Sequence, residues 1–186
     1  MYPSFLETKD SKESLYLSQQ MEEDLRQDLK KLTRERNGLV WEIAKTGDLG
    51  SLSAEDQKLA ELMLEHEEFH NQFEIADVLS EHEYDPDQEV NPFLHVTLHV
   101  IAETQLENKD PIEVFQFYNA MRKKKASHHD AVHLIGLVLT PLIWKTLLEQ
   151  QPFDLEEYRS RLKKLKYGKP GKIFDLIDKE EYYSED

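Results

Sequence analysis

Three histidine pairs constrain this chain more than any other feature. His66/His70, His95/His99 and His129/His133 are each spaced i, i+4 within an apolar run. Residues four apart share one face of a helix. The spacing therefore predicts three helices, each presenting two imidazoles on the side that seeks the core. With 8 His in 186 residues, chance supplies only about a third of one such pair, so three pairs ask for a common reason. His66 and His70 continue a stripe of Leu59, Leu62, Met63 and Phe73. His95 and His99 lie among Leu94, Leu98 and Ala102, and His129 and His133 precede Ile135, Gly136, Leu137 and Leu139. A fold that satisfies all three patterns turns six imidazoles inward. Buried imidazoles are costly unless they are hydrogen-bonded or bound to metal.

The rest of the pattern is helical as well. Only 6 Gly and 7 Pro interrupt 186 residues, and the periodicity reads as an all-α bundle of five to six helices with short connections and a histidine-lined interior. Residues 1–18 read as a flexible arm, 19–166 as one helical domain, and 167–186 as a linker and acidic tail. A first helix is expected from about Gln20 to Ala44, with Leu25, Leu29 and Leu32 on one stripe. A second starts after Ser53, capped by a Ser53/Asp56 box, and runs to Leu79. Asn91-Pro92 and Asp110-Pro111 each read as an N-cap followed by a first-turn proline. Ser127/Asp130 caps a fifth helix containing Pro141, and Asp154 caps a sixth ending near Lys166. Trp41 and Trp144 fall on apolar faces and read as core.

Composition removes several classes of function. Lys plus Arg is 23 and Asp plus Glu is 38, a net charge of −15, which argues against binding nucleic acid or an anionic membrane. The basic runs RKKK (122–125) and KKLKYGKPGK (163–172) read as solvated helix ends. Zero Cys excludes a thiolate zinc site, an iron–sulfur cluster and a cysteine nucleophile. No signal peptide and no membrane span are visible, so a cytoplasmic location is expected. No phosphate loop or nucleophile elbow occurs. A small-molecule substrate and self-association both stay open.

Three inward pairs from three helices suit one or two shared cations. The expected ligands are His66, His70, His95, His99, His129 and His133. Glu103, one turn past His99, is a further ligand or a partner of one. Imidazole selects a divalent transition metal, zinc or iron first and manganese or nickel next. A two-metal site needs more negative charge, for which Glu67, Asp77 and Asp130 are candidates. HEEFH (66–70) matches the zincin pattern in letters only. His82 and His128 are expected outside the cluster. A metal-dependent hydrolase or an iron-type protein reacting with oxygen or peroxide follows from this reading. The alternative is a non-catalytic interaction module with a structural histidine core, which loses stability as pH falls through about 6–7.

The run NPFLHVTLHVIAETQ (91–105), preceded by HEEFH and followed by HHDAVHLIGLVLTPLIW (128–144), resembles a bacterial family known only as domain of unknown function 1841. The resemblance covers about Leu62 to Leu165, and Asn-Pro-Phe-Leu-His with a second His four residues on is its specific core. It implies a shared helical fold and histidine pairs at His66/His70, His95/His99 and His129/His133. Where the family tends to a basic residue this chain has Glu103, and where it tends to an acid this chain has Thr104. The resemblance implies no reaction. The paired-His-plus-Glu helix also looks like hemerythrin-type bundles, but their terminal H-x-x-x-x-D is not found here.

Overall fold

The computed structural model describes residues 33–85, 88–149 and 152–177. The arm 1–18, the Leu25/Leu29/Leu32 stripe and the end 178–186 lie outside the described residues. Among the described residues the regular structure is all helical. The eight α-helices are α1 (33–46), α2 (Ala54–Glu65), α3 (His70–Glu74), α4 (Pro92–Asn108), α5 (Ile112–Lys123), α6 (His128–Glu149), α7 (Leu155–Leu165) and α8 (173–177). No helix among them is long and apolar enough to cross a membrane. The chain divides into two compact units, Met1–Phe93 and Leu94–Asp186.

The caps do what their side chains dictate. Asp56 N–H donates to Ser53 Oγ at 3.1 Å, and the Ser53 hydroxyl returns a bond to Asp56 Oδ2 at 2.8 Å. Phe93 N–H donates to Asn91 Oδ1 at 3.1 Å, which starts α4. Ser127 and Asp130 exchange bonds of 3.1 and 3.0 Å at the head of α6. Glu157 N–H donates to Asp154 Oδ1 at 2.8 Å ahead of α7. Each satisfies a backbone donor that the first helical turn leaves without a partner. Asp110 is the exception. Pro111 itself stands at the N-cap of α5 in extended backbone, and no side chain caps that helix.

The second expected helix does not run through to Leu79. It ends at Glu65, and His66 leaves the helical region at φ −97°, ψ 67°. The His66 ring donates from Nδ1 to the Leu62 carbonyl at 2.7 Å, the same oxygen that accepts the His66 backbone N–H at 3.2 Å. A side chain competing for a local carbonyl is a known route out of a helix. A 3-10 turn over Glu67–Phe69 and the five-residue α3 follow. In this first unit Trp41 of α1 packs on Phe73 at 5.6 Å between centroids and donates from Nε1 to Glu74 at 2.8 Å. Trp41 is buried as expected. Arg34 is buried too, and its guanidinium bonds the carbonyls of Leu79 and His82.

The second unit holds a core drawn from five helices. Val114, Phe117 and Met121 of α5, Ile135, Val138 and Leu142 of α6, and Tyr158, Leu162 and Leu165 of α7 belong to one cluster with Ala102 of α4. Their spacings of three, four and seven are the apolar stripe of a helix. Tyr158 donates to Gln105 Oε1 at 2.9 Å, tying α7 to α4. Trp144 differs from expectation and is 41% exposed. The expected linker and tail also differ, because Ile173 and Ile177 of α8 are buried in this core. Gly168 makes that possible. A Cβ there would lie 2.9 Å from Ile173 Cδ1, which would have to shift, and in a tight contact of 3.2 Å with the Leu165 carbonyl. Lys124, from the RKKK run, donates to the carbonyls of Lys166 and Gly168 at 2.5 and 2.7 Å. One charge of that basic run thus closes the C-terminal end of α7.

Glu113 is the acid drawn into this core, at 5% exposure. Arg159 Nε lies 3.0 Å from its Oε2 and Lys163 Nζ lies 3.1 Å from Oε1. Burial pushes the Glu113 carboxyl up, but its own backbone N–H, Arg159 and Lys163 outweigh burial and hold it below the usual carboxylate range. A carboxyl depressed by folding contributes stability above its unfolded pKa, and that contribution is lost as pH falls through its folded one. Glu113→Gln is therefore expected to lower stability at neutral pH and to flatten the acid limb of a stability–pH curve. Urea unfolding of both proteins from pH 7 downward measures this. Parallel acid limbs would show that Glu113 is not the titrating group.

Candidate metal centre

Helix α4 places His95 and His99 one turn apart, with ring centroids 4.8 Å apart. Helix α6 does the same for His129 and His133 at 4.1 Å. The Asn91-Pro92 start and the Ser127/Asp130 box set where each helix begins, and so which residues share a face. The two pairs then meet. His99 and His133 lie 4.5 Å apart, His95 and His133 4.9 Å, and His99 and His129 5.1 Å between centroids. Ligating nitrogens of His95, His99 and His133 all fall within 4.8 Å of one another. The closest approach is His133 Nε2 to His95 Nε2, 3.2 Å.

That distance is chemically informative. Two nitrogens each about 2.0–2.1 Å from a tetrahedral zinc stand roughly 3.3 Å apart. His95 and His133 stand at that separation, and His99 has a nitrogen within 4.8 Å of both. His99 is 4% exposed, while His95, His129 and His133 are half-buried, so the group runs from the core of the unit toward its surface. Beside it lies a pocket of about 240 Å³. The three imidazoles form one wall, and Leu98, Gly136, Leu137 and Thr140 form the rest.

His66 and His70 belong to the first unit and do not share a helix face, because α2 stops at Glu65, before both. His66 is 1% exposed and stacks on Phe69. A carbonyl can only accept, so its Nδ1 carries the proton and Nε2 keeps the lone pair, the tautomer that ligates metals. His70 is half-buried, donates from Nε2 to the Leu64 carbonyl at 3.3 Å, and packs 4.6 Å from Trp41. Glu67 and Asp77 are exposed. Asp130 is engaged in its capping box, and the Ser127 hydroxyl and backbone N–H hold its carboxyl below the usual range. His82 bonds Glu89 at 2.8 Å.

Glu103 is bound to a residue that sequence reasoning set aside. Its Oε1 accepts from His128 Nε2 at 2.8 Å, and the Tyr118 hydroxyl donates to His128 Nδ1 at 2.8 Å. Both ring nitrogens of His128 are thus engaged. A separation of 25 residues from Glu103 carries no periodic signal, so only the packing of α4, α5 and α6 shows this trio. The pocket residues left one trace in sequence. Gly136 stands in mid-helix, where Gly costs about 1 kcal/mol against Ala, a sign of a packing or functional need.

No curated protein matches the chain significantly, and no solved structure does. The model of the family described as domain of unknown function (DUF1841) matches residues 31–164, which takes in all three histidine pairs, and the chain belongs to that family.

Proposed function

We propose that this protein binds a divalent transition metal in its second unit, through His95, His99 and His133, with His129 flanking them. The observation that carries the proposal is the convergence of three ligating nitrogens within 4.8 Å, two of them 3.2 Å apart. Zinc is favoured over iron. Among the described residues no carboxylate joins the three converging nitrogens, whereas non-haem iron sites that handle oxygen pair two His with one carboxylate. A zinc ion held by three neutral imidazoles supplies a bound water that ionises near neutral pH. The protein's own part is to hold the imidazoles, shield His99 from solvent and present the pocket. A metal-dependent hydrolytic role follows from that chemistry. Whether His66 and His70 add ligands is read by substituting each with Ala and counting metal.

The test is elemental analysis by inductively coupled plasma mass spectrometry of untagged protein purified without chelator or nickel resin. About one equivalent per chain is expected. Metal binding to the folded state alone also stabilises it, by about 2.7 kcal/mol at a free concentration one hundred times the Kd. Adding zinc to chelator-treated protein should therefore raise the urea midpoint, and chelator should reverse the change.

The same 3.2 Å contact supports a second reading, in which one of His95 and His133 donates an N–H to the other. The cluster is then a polar core of a helical interaction module. That reading expects less than a tenth of an equivalent of any metal and no stabilisation by zinc.

A further inference from the structure

We propose that the pocket beside the histidines takes a compact monocarboxylate with an apolar body, its carboxylate at the histidine end. The inference rests on the metal reading for its anchor and adds the ligand class. The pocket is lined by three imidazoles together with apolar groups. His95, His99 and His133 form the polar wall, and Leu98, Gly136 and Leu137 supply apolar surface. Thr140 adds no donor, because its hydroxyl already donates to the Gly136 carbonyl at 2.8 Å. Among the described residues no Asp, Glu, Lys or Arg lines the space. A second charge on the ligand would enter that wall without a partner, which is costly. Nucleotides and dicarboxylates are disfavoured on this ground.

Size narrows the class further. A cavity of about 150 Å³ holds benzene, so about 240 Å³ suits an aromatic ring or short branched chain plus a carboxylate. Gly136 keeps this volume open. A Cβ there would make ordinary contact with Leu98 Cβ at 3.8 Å, so Ala fits, while a longer side chain must extend into the pocket.

The experiment titrates zinc-loaded full-length protein with benzoate, acetate and isophthalate by calorimetry, with metal counted in the same samples. Benzoate is expected to bind at least about tenfold tighter than acetate, from burial of the ring. It should also bind at least about tenfold tighter than isophthalate, from the second charge. Gly136→Leu should abolish the preference for benzoate over acetate while leaving the metal count unchanged. Gly136→Ala, which keeps the wall intact, should reduce it less. The three-ligand series on the unsubstituted protein decides the matter even if Gly136→Leu does not fold. Metal bound with no preference for benzoate overturns the pocket proposal alone. No metal bound, with the benzoate preference intact, overturns the metal reading alone, since imidazole N–H groups can also hold a carboxylate.

Discussion

Replacing His99 with Ala is expected to drop bound metal from about one equivalent to below about a tenth under the same chelator-free purification. His99 is the most buried of the four clustered imidazoles, at 4% exposure, and its ring lies 4.5 Å from His133 and 4.8 Å from His95. Removing a group that merely orients a ligand costs about 10–100-fold in affinity, and removing a ligand costs more. His99→Asp supplies a shorter ligand and should recover part of the metal. His82→Ala should leave the count unchanged, because His82 is engaged with Glu89. Glu103→Gln should do likewise, since the Glu103 carboxylate is held by His128. The far-ultraviolet circular dichroism of each variant shows whether the helices persist. If His99→Ala retains its metal, the proposed ligand set is wrong. If it and the unsubstituted protein both lack metal and differ only in stability, the histidine-core reading stands.

Ile173→Ala is expected to destabilise the protein by about 2–5 kcal/mol. The side chain is 0% exposed and belongs to the core cluster of the second unit. Truncating it loses the transfer free energy of the removed methyl and methylene groups and leaves a void that helices bound by Gly168 and Lys124 cannot easily close. Phe174→Ala is the matched control. Its ring is 58% exposed, and surface substitutions of this kind usually stay within about 0.5 kcal/mol. Urea midpoints for the pair measure the contrast, because the denaturant slope reports whether the same surface is exposed in both. Equal midpoints would mean that residues 173–177 behave as the free tail that their sequence suggests.

Local chemistry explains what was legible without coordinates. Ser53, Asn91, Ser127 and Asp154 each carry an oxygen that reaches a backbone N–H within three residues, and each starts a helix where expected. The pairs His95/His99 and His129/His133 were visible because i, i+4 geometry needs nothing beyond an unbroken helix. The same rule failed at His66/His70. There the His66 ring bonds the Leu62 carbonyl and the helix ends, an outcome set by one side chain's hydrogen bond rather than by periodicity. Trp144 failed for a related reason, since an apolar stripe wider than the neighbouring helices can cover leaves its margin in solvent.

By itself, then, the sequence determined the helical class, most helix starts and the candidacy of the histidines, because those rest on contacts within a few residues. Only the tertiary structure decided which histidines converge, that Glu103 holds His128, that Gly168 lets α8 fold onto the core, and that Gly136 opens a pocket beside the cluster. All but the Gly168 contact join residues far apart in the chain. Their meeting depends on how α4 to α8 pack, which no local pattern encodes.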